Sequence, residues 1–413
     1  MKTRVTRRRF IRQSAVLGSI GYVGGVAPAA GAPREGVSGS MDYREFLKQN
    51  VNEVPTPALL IDLDIFERNL QTLATFLKGR KTTFRPHGKA HKSPAIGKLQ
   101  LASGATGLCA AKLGEAEVLI NGGIKDVLIT AEVVGRRKIE RLMALAAVTP
   151  DVKVVVDNEQ NAADLSAAAL AAGRKLKVAV DVNVGQNRTG LDTPAEVVAL
   201  AQTIGRQKGL ELVGMQAYGG NNQHIIGFAN RRAVNERSLD RAAAARQALE
   251  KAGFTVQMVS VGGTGTYNID ADYPGVTEIQ PGSYIFMDAH YRSIGGRDQD
   301  SFSDFGNSLS VLTTVISRPS NGRAITDGGN KALTTDESMP EPKDLTGVSY
   351  EPGGDEYGII SLRKPSRDLR VGDKVEFVPG HCDTTVNLYN VFFGVRKGIV
   401  EQVWPIEGRG RAD

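Results

Sequence analysis

The chain has 413 residues, 41% hydrophobic and 23% charged, which is enough for two domains and a large core and ordinary for a globular enzyme. Its formal net charge of +6 resides in the first 32 residues, where Lys2, Arg4, Arg7, Arg8, Arg9 and Arg12 meet no acid; removing these six from the 51 basic residues leaves 45 against 45 acidic ones. The charge is therefore no argument for nucleic-acid binding, and two cysteines, Cys109 and Cys382, make no disulfide framework.

Taken in chain order, Thr6-Arg7-Arg8-Arg9-Phe10-Ile11-Arg12 fits the twin-arginine export pattern. An apolar, Gly-rich run from Ala15 to Val26 follows, then two small-x-small sites, Ala27-Pro28-Ala29 and Ala30-Gly31-Ala32. The run is too short and too Gly-rich for a good membrane span. Residues 1–32 are expected to be a leader that takes the folded protein through the twin-arginine translocase to the periplasm, with no membrane segment afterwards. Residues 33–55 read as an arm or linker.

Ala58–Leu63 reads as a strand. Eight further strand-like runs follow at Lys81–His87, Thr106–Ala110, Asp126–Thr130, Lys153–Asp157, Leu176–Asn183, Glu211–Tyr218, Thr255–Gly262 and Thr277–Met287. Ala-rich helical stretches such as Ala162–Ala172 and Arg237–Ala252 lie between them. This spacing predicts an α/β fold, a (β/α)₈ barrel over 56–300, with Ala58–Leu63 surplus to it and assigned to the sheet of a second domain. An open doubly wound sheet is the alternative that the pattern permits. After Ser301 helical periodicity gives way to short β-rich runs, Leu309–Ser317, Lys374–Val378 and Asn390–Val395, which predicts a smaller β domain over 301–413.

The chemistry-bearing residues gather where a barrel carries its active site, at the C-terminal ends of the strands. Arg85-Pro86-His87-Gly88-Lys89-Ala90-His91-Lys92 follows the first barrel strand, and a lysine held among cations loses part of its proton affinity, as an amine must to form a Schiff base. The plain alternative is a solvated basic turn. Asn187-Arg188-Thr189-Gly190 follows the fifth strand, Gln216, Tyr218 and Gln223-His224 end the sixth, and Gly262-Gly263-Thr264-Gly265-Thr266 follows the seventh. That turn offers N–H groups and two hydroxyls to a phosphate, and it lacks both the Lys-Ser/Thr of a nucleotide P-loop and the G-x-G-x-x-G of a dinucleotide site. If Pro379-Gly380-His381-Cys382-Asp383 is extended, His381 and Asp383 share a face on which they could grip one divalent ion, with Cys382 pointing away; from spacing alone such a pair is more often a surface or hydrogen-bonded pair.

These segments together resemble the D-threonine aldolase and D-serine dehydratase family, pyridoxal-phosphate enzymes with an alanine-racemase-like barrel. The resemblance runs from about Thr56 to Tyr389. It rests on Arg85–Lys92, the Asp181–Gly190 segment, Gln216-Ala217-Tyr218, the Gly262–Thr266 turn and Pro379–Tyr389. It implies that Lys89, and not Lys92, is the cofactor lysine, that Gly262, Gly263, Thr264, Gly265 and Thr266 hold the cofactor phosphate, that Arg188 lies near its ring or an adjoining lysine, and that Tyr218 stacks on or hydrogen-bonds to the cofactor or fills the barrel mouth. It further implies that His224 is the base for a substrate hydroxyl, that His381 and Asp383 bind Mn²⁺, Mg²⁺ or Zn²⁺, and that the protein is a homodimer. The His-Cys-Asp arrangement is more like the aldolases, since the dehydratases more often carry Cys as second ligand. The implied reaction is retro-aldol cleavage of a β-hydroxy-D-amino acid to glycine and an aldehyde. Dehydration to a 2-oxo acid and ammonia, a periplasmic binding protein without catalysis, and racemisation, for which no second base is identifiable, are the alternatives. Two residues depart from the pattern: His290 stands where an acid is common, and Tyr357, in Asp355-Glu356-Tyr357-Gly358, where the histidine of Asp-Glu-His-Gly is common.

Overall fold

A computed structural model describes residues 41–413, so the leader lies outside the described residues. The strand Ala58–Asp62 (β1) feeds the helix Leu63–Leu77 (α1), whose first turn is capped by the Asp62 carboxylate, an acceptor for Ile65 N–H at 3.0 Å. Eight parallel strands follow: Thr83–Phe84 (β2), Leu108–Ala110 (β3), Val127–Ile129 (β4), Lys153–Val156 (β5), Leu176–Asp181 (β6), Leu210–Ala217 (β7), Met258–Val261 (β8) and Glu278–Ile279 (β9). Between them lie Pro94–Ala102 (α2), Leu113–Asn121 (α3), Arg136–Val148 (α4), Glu159–Ala171 (α5), Pro194–Arg206 (α6), Phe228–Lys251 (α7) and Tyr267–Asp270 (α8). The sheet order is β2-β9-β8-β7-β6-β5-β4-β3, and a parallel bridge between His87 and Cys109 joins its two ends. The strands therefore close into the expected barrel, and an open doubly wound sheet is excluded.

Inside the barrel, Cys109, Leu128, Val155, Ala179, Val213 and Met258 form one apolar layer, a residue from each of six neighbouring strands. Two residues further along, the lumen turns polar. Asp181 accepts from Gln216 Nε2 at 2.9 Å, and Gln280 Nε2 donates to Ser260 Oγ at 2.8 Å. For Val213 and Gln216 both to face inward, β7 must skip one step of its alternation. It does so by a bulge: Leu212 pairs with Val178 and Gly214 with Ala179, which leaves Val213 as the extra residue.

The remaining strands build the second sheet: Leu309–Ser320 (β10), Arg323–Thr326 (β11), Glu341–Pro342 (β12), Val348–Pro352 (β13), Gly358–Leu362 (β14), Lys374–Val378 (β15), Val391–Arg396 (β16) and Ile399–Pro405 (β17). Two short helices, Ala289–Ser293 (α9) and Cys382–Val386 (α10), flank its junction with the barrel. β1 lies between β10 and β16. Leu59 and Ile61 join the main core, and Ala58 and Leu60 pack with Leu312 and Phe393 on the opposite face, so a strand apolar on both sides occupies the sheet interior.

Two expected strands are shorter than their apolar runs. Lys81–His87 pairs only over Thr83–Phe84, and Thr277–Met287 only over Glu278–Ile279 before Ser283–Ile285 winds into a 3-10 turn. Pro86 and Pro281 lack the N–H that a longer ladder would need. Cys109 and Cys382 are both buried and free, so they are not joined. Among the described residues no helix is long and apolar enough to cross a membrane.

Gly214 has φ +152, and a Cβ on it would lie 2.0 Å from the Met258 carbonyl oxygen. Gly214→Ala is therefore expected to lower the unfolding free energy by at least about 2 kcal/mol, read from urea midpoints; an unchanged midpoint contradicts the need for this bulge geometry.

Candidate active site

Lys89 lies in the 3-10 turn Gly88–Ala90 beyond β2, and His87 caps the turn by accepting from Lys89 N–H at 3.4 Å. Its Nζ is 3.5 Å from Asp383 Oδ2, and its side chain is 40% exposed, so a ligand can reach it. The expectation that neighbouring cations depress its proton affinity is corrected. The Asp383 carboxylate raises the Lys89 pKa, and burial opposes this with less effect. The other cations of the cluster are already neutralised. Arg85 is held by Glu278 at 2.9 Å and Asp126 at 2.6 Å, and Lys92 pairs with Glu115. His87 meets Thr130 Oγ1 at 3.2 Å and His91 meets Gln100 Oε1 at 3.1 Å. Burial keeps both imidazoles neutral, with His91 pushed down to about 4.

The Gly262–Thr266 turn is held in place by side-chain hydrogen bonds. The Thr266 hydroxyl donates to Asp270 and accepts from Gln223 Nε2 at 2.8 Å, and Thr264 Oγ1 accepts from Tyr284 N–H at 3.1 Å. The glycines are required by packing: a Cβ on Gly262 would lie 1.8 Å from Asp270 Oδ2, and one on Gly265 2.1 Å from the Gln223 carbonyl oxygen. Arg231, fully buried on α7, donates to the carbonyls of Gly265, Ile225, Ile294 and Gly295 and so fixes the turn from behind. Among the described residues, no acceptor takes the backbone N–H of Thr264 or Thr266, although both residues are buried. Buried N–H groups at the start of a helical turn suit a phosphate, so the segment fits the group through its backbone, and the Thr264 hydroxyl, which only accepts from Tyr284, keeps its proton to donate.

Arg188 stands 5.5 Å from the centre of the Tyr218 ring. Beside it the ends of β4, β5 and β6 bring three carboxylates together. Asp181 accepts from Thr189 Oγ1 at 2.7 Å, and Asp157 accepts from Gly190 N–H at 3.1 Å. Glu132 Oε1 is buried without a hydrogen-bond partner, and burial followed by the Asp181 and Asp157 charges pushes its pKa up to about 7. The sequence reading did not single out Glu132, since nothing in its local motif marks it.

The condition that Pro379–Asp383 be extended is not met: His381 has β geometry, but Cys382–Val386 is helical. Asp288 explains this: its fully buried carboxylate caps α9 by accepting from Tyr291 N–H at 2.8 Å and takes Cys382 N–H at 2.9 Å, which starts α10. Asp383 then turns toward Lys89, while His381 Nδ1 lies 2.8 Å from Asp336 Oδ2. Among the described residues, Asp336, Glu337 and His381 form a group whose donor atoms all lie within 4.8 Å of one another. Asp383 is outside that group, and Asp336 and Glu337 are residues that sequence reasoning missed. Imidazole and carboxylate donors in this region fit a divalent cation of the Mn²⁺, Mg²⁺ or Zn²⁺ kind. The thiol of Cys382 is buried beside Asp383.

His224 stacks on His290, ring centres 4.2 Å apart and planes 13° from parallel, and His290 Nδ1 is 3.7 Å from Glu337. His224 Nδ1 is buried and unpartnered. Burial, helped by His290, His381 and Lys89, pushes its pKa down to about 3, so the ring is neutral over the physiological range. Of the two departures from the family pattern, His290 is thus part of this cluster, whereas Tyr357 is exposed in the turn between β13 and β14.

Comparison with known proteins agrees with this geometry. The sequence profile of the alanine racemase N-terminal domain matches residues 61–290, and that of a serine dehydratase domain matches 308–395. A 3-hydroxy-D-aspartate aldolase of Paracoccus denitrificans is 39% identical over 363 residues, 87% of this chain and 93% of its own. A D-threonine aldolase of an Arthrobacter species is 38% identical over 357 residues, covering 86% and 93%. The chain belongs to the D-threonine aldolase and D-serine dehydratase family. The crystal structure of the family's D-threonine aldolase from Filomicrobium marinum superposes with a TM-score of 0.85 at 40% identity, over 89% of this chain and 99% of that one.

Burial of His224 makes the stability of the fold depend on pH. In the unfolded chain the ring takes a proton below its ordinary 6.5, and in the folded protein it stays neutral to about 3. Stability present above 6.5 is therefore lost as pH falls toward 3, by at most about 1.4 kcal/mol per pH unit for one group. Between pH 7 and 4.5 the wild type is expected to lose more unfolding free energy in urea than His224→Gln; equal losses contradict a buried neutral imidazole.

Proposed function

We propose that this protein cleaves a β-hydroxy-D-amino acid of the D-threonine kind to glycine and an aldehyde, with pyridoxal phosphate and a divalent cation. The observation that carries this reading is the meeting of Lys89 and Asp383 at 3.5 Å, with the His224/His290 stack in the same electrostatic neighbourhood. Bound pyridoxal phosphate supplies an electron sink for the substrate's α-carbon. Lys89 would hold that cofactor, the N–H groups of Thr264 and Thr266 its phosphate, and Arg188 and Tyr218 would flank its ring. His381 and Asp383 would hold the cation, which favours deprotonation of a β-hydroxyl. His224, neutral and with a buried nitrogen free of partners, would take the hydroxyl proton as the Cα–Cβ bond breaks; with its pKa pushed down to about 3 it is a weak base, so this role depends on the cation lowering the pKa of the hydroxyl.

Asp383 supports the aldolase over the dehydratase reading, because family dehydratases more often carry Cys in that place. The names of the two aldolase relatives support the same choice. We also propose export to the periplasm, on the Thr6–Arg12 pattern, and a homodimer, on the family resemblance. Cell fractionation and light scattering test these two; cytoplasmic recovery or a monomeric mass would overturn them.

With D-threonine the purified enzyme is expected to release glycine and acetaldehyde, EDTA to stop the release, and Mn²⁺ to restore it. Ammonia and 2-oxobutanoate as products would establish dehydration instead. Retained cofactor with neither product would point to a binding protein.

A further inference from the structure

The loop at residues 334–337 carries two adjacent carboxylates, and each meets a different histidine. Asp336 Oδ2 lies 2.8 Å from His381 Nδ1, while Asp336 Oδ1 accepts from Thr384 Oγ1 at 3.0 Å. Thr384 Oγ1 is in turn 2.8 Å from Thr334 Oγ1. Both oxygens of Asp336 are therefore engaged, and the carboxylate is braced by Thr384 of α10, the helix that follows His381. Glu337 approaches His290 only to 3.7 Å, and half of its side chain is exposed.

A carboxylate at 2.8 Å from a ring nitrogen is at the length of a charge-assisted N–H···O bond. It keeps the proton on that nitrogen, which leaves the lone pair on the other one. For His381 the lone pair is then on Nε2. A second partner of this kind fixes both tautomer and ring orientation of a metal-binding histidine and makes it more basic.

We propose that Asp336 is a positioning residue: it holds Nδ1–H of His381 so that Nε2 is the donor to a divalent cation. Glu337 is not a ligand, although it lies in the same cluster of donor atoms. The proposal rests on the metal reading given above and adds to it the tautomer of His381 and the role of a residue in another segment. The rival arrangement has Asp336, Glu337 and His381 Nδ1 bind the ion together. It would require loss of the Nδ1 proton and would replace a hydrogen bond already made.

The test is Mn²⁺ binding to the full-length, cofactor-loaded protein, followed by the EPR signal of free Mn²⁺, with cofactor absorbance as a check that each variant is folded. Asp336→Asn is expected to weaken binding about 10- to 100-fold, Asp336→Glu to recover part of the loss, and Glu337→Gln to stay within about threefold of wild type. Binding by Asp336→Asn within about threefold of wild type overturns the positioning role, and an equal loss in Glu337→Gln overturns it in favour of direct ligation by the loop. His381→Ala separates the two layers of the argument. If that variant binds Mn²⁺ as tightly as wild type, the metal reading itself fails and takes the proposal with it. If it loses binding while Asp336→Asn does not, only the positioning role fails.

Discussion

The buried carboxylate of Asp288 holds the two halves of the site in register. It closes the first turn of α9 at the barrel's end and accepts the first N–H of α10 in the β domain. Backbone bonds reinforce the junction on either side, from Ala289 N–H to the Pro379 carbonyl and from His290 N–H to that of Gly380. Burial raises the pKa of this carboxylate, and the two N–H donors pull it back. Through it, His290 and the His381–Asp383 segment keep a fixed spacing. Asp383 can then face Lys89 across nearly three hundred residues of sequence.

The electrostatics of the site follow from which charges are already paired. Arg85 and Lys92 spend their charge on Glu278, Asp126 and Glu115, so they do not act as the cationic surroundings that a run of basic residues suggests. The nearest charge to Lys89 is negative, and its proton affinity rises. The histidines behave in the opposite sense. His87, His91 and His224 are kept neutral by burial, whereas the carboxylates of Asp383 and Asp336 outweigh burial at His381 and raise its pKa. One mouth thus contains a protonated amine, a carboxylate and a neutral imidazole, three different tasks set by three different environments.

Much of this was legible in the sequence, because strand runs and motifs are local. The eight apolar runs mark the barrel strands, and a strand as apolar on both faces as Ala58–Asp62 belongs inside a sheet. Lys89 and the Gly262–Thr266 turn fall at strand ends, where a barrel displays its chemistry. What the sequence hid depends on partners far away in the chain. The bulge at Val213 is imposed by the layer it completes. The helix at Cys382 exists because Asp288 caps it, and a His-x-Asp pattern read as a strand has no way to show that. Asp336, Glu337 and Glu132 carry no motif, and they matter through the side chains they face.

The central claim is that barrel and β domain share one reaction centre, with the cation held by the β domain next to the barrel's lysine. Anomalous diffraction at the manganese edge from crystals of the cofactor-loaded protein tests it most directly. The account predicts a peak in coordination contact with both His381 and Asp383, beside Lys89. A peak on Asp336 and Glu337 without Asp383, or no peak at this mouth, would contradict it.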